Sequence, residues 1–142
     1  HACAMRPCLE VLPSRNLFQV AIRSGTKQEF QELEDSERLV TLIHGQPATN
    51  LSKALQPHLG KPIYLTMDLD WFDPSVLPGT GTPEPGGFLW QDFASIIDVL
   101  KEHKIIGADI VELAPQLDPS GVSSILAAKT ARSLLILLSK VK

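Results

Sequence analysis

The sequence is short of cysteine: among 142 residues only two, Cys3 and Cys8, carry thiols. Their spacing fits neither a disulfide framework nor a thiolate metal site, so free thiols in a reducing compartment are the expectation. Charge of one sign is lacking too, with 13 Lys and Arg against 16 Asp and Glu and a formal net charge of −3. No basic excess exists to draw a nucleic acid or an anionic membrane surface. Long apolar runs are missing. The apolar tail at 134–138 is too short to span a bilayer, and Lys129 and Arg132 interrupt any wider window. There is no internal repeat and no low-complexity tract. Apart from one Asp-x-Asp, His and Asp do not cluster at metal-ligand spacing. An initiating Met is absent as well: the chain opens on His1 in what reads as the approach to a helix, as expected of a C-terminal portion. The 44% hydrophobic and 20% charged residues that remain describe ordinary globular material.

What is present concentrates at residues 61–87, KPIYLTMDLDWFDPSVLPGTGTPEPGG. The run Ile63-Tyr64-Leu65-Thr66-Met67 is apolar and β-rich and reads as a buried strand. It delivers Asp68 and Asp70 at its carboxyl end, where residues two apart project from one face. Such a pair is either a solvated strand end or a cation site. Adjacent carboxylates repel, burying both uncompensated is costly, and a hard divalent ion such as Mg, Mn or Ca neutralises them. Next come Asp73-Pro74, Pro78-Gly79, Gly81, Thr82-Pro83 and Pro85-Gly86-Gly87. Proline fixes φ and glycine permits positive φ, so this loop is conformationally specified. A stiff loop beyond the carboxyl end of a buried strand is where α/β proteins hold ligands.

The rest of the chain alternates. Residues 1–12 read as a helix in which Pro7 is tolerable only in the first turn. Residues 17–22 and 39–43 read as strands; between them Thr26 and Glu29 form a capping box that opens a short acidic helix. Asn50 or Ser52 is expected to cap the next helix. Residues 90–103 form the clearest helix, with Phe93, Ile96, Ile97 and Leu100 along one stripe. Residues 105–113 are apolar enough for a strand covered on both faces, and 121–140 make a last helix with a basic end. Alternating strands and helices imply an α/β fold with a parallel sheet. Glu112 ends the 105–113 strand. It is either a salt-bridge or cap partner, or a carboxylate set to pair with a planar cation.

The stretch D-L-D-W-F-D-P-S-V-L-P-G-T-G-T-P-E-P-G-G at 68–87, with V-E-L-A-P-Q-L-D-P-S-G at 111–121, resembles the signature of the ureohydrolase family (arginases, agmatinases and guanidino-acid hydrolases). It is more similar to the agmatinase-like members. The resemblance implies a three-layer α/β/α parallel sheet of the arginase type, incomplete here. Residues 1–142 would be the C-terminal portion of a single domain, with about half of the family's sheet preceding His1. It also implies metal-dependent hydrolysis of a small cationic guanidino substrate, agmatine favoured, to urea and an amine (putrescine). Guanidinobutyrate or another guanidino acid, or arginine, is the alternative substrate. A pair of Mn2+ ions per complete site, a cytoplasmic location and a homo-trimer or homo-hexamer go with it, and neither nucleic acid nor membrane is a partner.

Carried over position by position, Asp68 and Asp70 match the family's Asp-x-Asp metal ligands, and Glu112 matches its guanidinium-binding carboxylate. Thr82 matches the loop threonine near the guanidinium. His1, in His1-Ala2 with Met5-Arg6, aligns with the active-site histidine. The guanidinium carbon is a poor electrophile, so water must become hydroxide, which a metal pair achieves by lowering its pKa. The amine must then leave protonated, which favours a His donor. His44, His58 and His103 are rivals placed at strand or helix ends. Trp71 departs from the small residue usual at its position, which bears on the choice of agmatine; Val122 and Ser123 also differ from the common pattern.

Two other classes compete. Aspartyl-nucleophile phosphatases also follow an apolar strand with Asp-x-Asp, but they need a downstream Lys and acidic pair that is not evident after Trp71-Phe72-Asp73-Pro74. A non-catalytic ureohydrolase-like subunit would keep the fold without the upstream ligands. Two carboxylates cannot fill the coordination of two ions wanting roughly four to six donors each. Residues 1–142 by themselves are therefore expected to bind manganese weakly or not at all, and a tight site found by calorimetry on this segment would overturn that.

Overall fold

The computed structural model of the chain describes residues 4–35, 39–42 and 46–139, and along them helices and strands alternate. Two units separate, His1–Ala54 and Leu55–Lys142. In the first, helix α1 (Met5–Val11) places Pro7 in the opening turn, where its missing N–H has no intrahelical acceptor to lose. The expected start of that helix at His1, and Cys3 with it, lies outside the described residues, as does His44. Strands β1 (Leu17–Val20) and β2 (Leu39–Leu42) pair in parallel, Leu17 opposite Leu39. Between them α2 (Lys27–Asp35) opens on the expected capping box: the Thr26 amide donates to Glu29 Oε2 at 2.7 Å and the Glu29 amide to Thr26 Oγ1 at 3.2 Å. Helix α3 (Pro47–Leu55) begins ahead of the expected caps Asn50 and Ser52. Pro47 accounts for the difference, since its fixed φ is already helical and its ring is favoured at the first position.

The second unit is built on a parallel ladder of β3 (Pro62–Asp68) and β4 (Lys104–Val111). Burial alternates along β3: Ile63, Leu65 and Met67 are turned toward protein, whereas Tyr64, Thr66 and Asp68 are exposed. On the exposed side Tyr64 Oη donates to an Asp109 oxygen at 3.0 Å, and Thr66 Oγ1 donates to the other. Helix α4 (Trp90–Leu100) buries Phe93, Ile97 and Leu100, and the Asp92 carboxylate accepts the Leu89 amide at 2.9 Å to close its first turn. Helix α5 (Val122–Leu138) packs on β4 and α4. Its buried stripe, Ser123, Ala127, Thr130, Leu134 and Leu137, is small at the start and larger toward the end. Small side chains at the start let the first turns of α5 come close to their neighbours.

The core of this unit lies directly behind the carboxyl ends of the strands. Leu69 and Leu77 are 0% exposed and Phe72 is 1% exposed. Phe72 meets Phe93 at a ring separation of 5.6 Å and Trp71 at 5.3 Å. Truncating a buried aromatic leaves a cavity that packed neighbours fill only in part. Phe72→Ala is expected to cost about 3–5 kcal/mol in urea unfolding of the full-length protein. A loss below about 1 kcal/mol would contradict the packing described.

Candidate functional site

β3 and β4 end side by side. Asp68, last in β3, is paired with Val111, last in β4, so Glu112 leaves the ladder at the level of Asp68. Parallel pairing sends both chain ends to one edge of the sheet, which is why two residues 44 positions apart in sequence share a site. Glu112 has φ +66°, the left-handed region that a side chain with a Cβ rarely adopts. Such a conformation costs about 1–3 kcal/mol and persists only where the surroundings over-determine it.

Strand alternation does not place Asp70. The chain leaves β3 at Asp68 and enters a 3₁₀ turn, Leu69–Trp71, so Asp70 reaches the site from the turn. Its amide donates to Asp68 Oδ1 at 3.1 Å, which caps the turn and ties the two acids together. The expectation of both aspartates on one strand face is corrected accordingly. Asp68 keeps contact with solvent, yet desolvation and then the neighbouring Asp70 charge raise its carboxyl to about 6, with Glu112 adding a smaller push. Among the described residues no three His, Cys, Asp or Glu side chains are grouped to hold an ion. Asp68 and Asp70 thus offer a pair of hard oxygen donors to be completed by others.

The loop after the acids is tied at its base by Asp73. Its Oδ1 accepts the Ser75 amide at 2.9 Å, and its Oδ2 accepts the Gly86 and Gly87 amides at 3.0 and 3.2 Å. These bonds, those from Ser75 foremost, hold the Asp73 carboxyl below its ordinary range. The Asp73 amide donates to Phe88 O at 2.9 Å, and a methyl on Gly87 would lie 2.5 Å from the Asp73 nitrogen, so only glycine fits there. Trp71 stacks on Phe88 with ring centres 4.8 Å apart and braces the same base. Farther along, a methyl on Gly81 would sit 3.7 Å from Glu112 Oε2, so the loop passes over that carboxylate. Thr82 follows Gly81 and is exposed, while Thr80 is 1% exposed with no hydrogen-bond partner for its hydroxyl among the described residues.

Of the residues singled out from sequence, Asp68 and Asp70 are hydrogen-bonded neighbours, Glu112 is near enough for its charge to act on Asp68, and Thr82 follows Gly81 in the loop beside Glu112. His1 falls outside the described residues. Gly79 was read from sequence only as loop punctuation and Ser123 only as a departure from the common pattern; that the two touch was not foreseen. The Gly79 amide donates to Ser123 Oγ at 2.8 Å across 44 positions, and no local pattern announces such a contact.

Residues 1–137 match the profile of the Arginase family. An agmatinase of Halalkalibacterium halodurans is 35% identical over 138 residues, covering 96% of this chain and 47% of the relative. The N(1)-aminopropylagmatine ureohydrolase of a Synechocystis species is 36% identical over 140 residues, covering 95% and 44%. The crystal structure of a provisionally named agmatinase from Clostridium difficile superposes with a TM-score of 0.88 at 38% identity, covering 98% of this chain and 50% of that one. The chain spans about half the length of the relatives it matches. The parallel α/β arrangement is of the arginase type.

The raised Asp68 pKa has a consequence for stability without metal. Between its unfolded value near 3.8 and its folded value of about 6, the native state keeps a proton that the unfolded state has lost. Native stability contributed by this group therefore falls as pH rises through that window. Urea unfolding of the metal-free full-length protein should show that decline, relative to Asp68→Asn, between pH 4 and about 6. Parallel curves for the two proteins would rule out the crowding of charge described.

Proposed function

Because the chain belongs to the arginase family, we propose that the protein it forms part of hydrolyses a linear guanidino compound, agmatine foremost, to urea and an amine, putrescine in that case. The observation that carries the reading is the meeting of Asp68 and Glu112 at the ends of paired strands beneath the loop that holds Gly81 and Thr82. A guanidinium is planar and presents parallel N–H donors, and a carboxylate pairs with it in a fixed plane. Glu112 takes that role, and Thr82 supplies a hydroxyl from the loop above.

Asp68 and Asp70 would hold manganese, together with donors from outside these 142 residues. The fit rests on their chemistry: hard carboxylate oxygens, tied together by the Asp70 amide, and a proton affinity at Asp68 raised by burial and then by the neighbouring Asp70 charge. When bound, a metal pair supplies Lewis-acid activation of water at neutral pH. The chain's own residues bind and orient the substrate. Glu112 pairs with the guanidinium charge, Asp73 and Trp71 keep the loop and the Asp70 turn in place, and His1 donates a proton to the departing amine.

Relatives named for agmatine and aminopropylagmatine support an amine-tailed substrate, and a relative named arginase, 33% identical over 145 residues, keeps arginine as the alternative. Trp71, stacked on Phe88, serves the turn more than the substrate, which leaves tail selection to other segments. A homo-trimer or homo-hexamer acting in the cytoplasm is the corresponding assembly. Among the described residues no helix is long and apolar enough to cross a membrane.

The test is urea release by the full-length protein with manganese, using agmatine, arginine and guanidinobutyrate. Agmatine is expected to give the highest kcat/KM. Glu112→Gln should lower it by at least about 100-fold, near 2.7 kcal/mol at 1.36 kcal/mol per tenfold. Asp68→Asn should abolish the manganese-supported activity. Silence toward all three substrates would remove the reading.

A further inference from the structure

Glu112 keeps its left-handed backbone although no glycine relieves it, so something close by must hold it there. The Ala114 amide, two residues on, donates to Gly79 O at 2.8 Å. Gly79 is held on its other side by α5, through its amide donating to the buried Ser123 Oγ at 2.8 Å. Ser123 is itself fixed by Asp118, whose Oδ2 accepts the Ser123 amide at 2.7 Å and whose Oδ1 accepts the Ser120 amide at 3.0 Å. Hydrogen bonds from Ser120 and Ser123 keep the Asp118 carboxyl far below the ordinary carboxylate range, so it stays ionised. The approach leaves no slack. A methyl on Gly79 would lie 2.8 Å from Ser123 Cβ and Oγ and 3.0 Å from Asp118 Cβ. Ser123 is 0% exposed and Asp118 is 6% exposed, and Ser123 reaches the loop by its bond with the Gly79 amide.

We propose that Asp118 and Ser123 are positioning residues for guanidinium binding: through Gly79 they set both the turn that presents Glu112 and the loop that carries Gly81 and Thr82 over it. The inference rests on Glu112 as the guanidinium partner. It assigns the start of α5 to substrate affinity, whereas the Asp68 and Asp70 pair is tied to the separate turn after β3. A residue that only stabilises the fold lowers the active fraction and leaves KM where it was. A residue that aims Glu112 moves KM.

The experiment compares wild type with Ser123→Ala and Asp118→Asn in the full-length, manganese-loaded protein, with agmatine as substrate. Ser123→Ala removes one hydroxyl and little volume. It is expected to raise KM about tenfold with kcat within about twofold, and to leave manganese affinity unchanged. Amide hydrogen exchange should quicken at Gly79 and Ala114 but not at Gly86 and Gly87, which Asp73 holds. Asp118→Asn keeps the side-chain size and one acceptor, and should shift KM in the same direction. An active enzyme whose KM is unmoved by Ser123→Ala overturns the inference alone, as does a fall in kcat that tracks loss of folded protein at constant KM. A wild type silent toward every guanidino substrate sinks the proposed function, and this inference with it.

Discussion

Parallel pairing of β3 with β4, Asp68 opposite Val111, is the constraint from which the site follows. Each strand carries its acidic residue at or just past its carboxyl end. Only a parallel ladder brings those two ends to the same edge. Antiparallel strands would place Asp68 and Glu112 at opposite ends of the ladder, some 20 Å apart for strands of this length at about 3.3 Å per residue. Side-chain alternation has period 2, so a one-residue slip would turn Asp68 from the open face to the face of Met67. The buried face of β3 and the packing of α5 on β4 oppose that slip.

Bringing acids together has an electrostatic cost, visible in the raised proton affinity of Asp68. The structure answers with backbone amides held in place around the acids. Asp70 donates its own amide to Asp68, Asp73 gathers amides from Ser75, Gly86 and Gly87, and Asp118 gathers those of Ser120 and Ser123. Three aspartates thus use backbone N–H groups as their partners, each at a point where the chain changes direction. Asp73 closes the base of the loop, and Asp118 sets the helix that grips its far side through Gly79. The loop is long and polar, yet held at two places, which suits a segment that has to lie over a carboxylate at one distance.

Much of this was legible locally. The apolar run before Asp68, the Thr26–Glu29 box, the stripe of α4 and the Gly/Pro punctuation of the loop each depend on residues within a few positions of one another. The family signature at 68–87 and 111–121 pointed to the acids themselves. Other features were not legible. The 3₁₀ turn that carries Asp70 depends on Asp68 acting as a cap, and a strand-period reading does not foresee the chain leaving the sheet there. The start of α3 depends on Pro47, a first-position preference easily passed over for a better-known cap at Asn50 or Ser52.

By itself the sequence determined which segments are helix or strand, where charge is available, and that acidic residues end two apolar runs, because propensity, periodicity and capping are properties of near neighbours along the chain. Tertiary structure decided that those two acidic ends meet. It also decided that Glu112 is bent into a left-handed turn and that Ser123 reaches Gly79. These contacts join positions 44 apart, and their existence depends on which strands pair and which helix covers them, a choice made by packing the whole core at once and not by any short stretch within it.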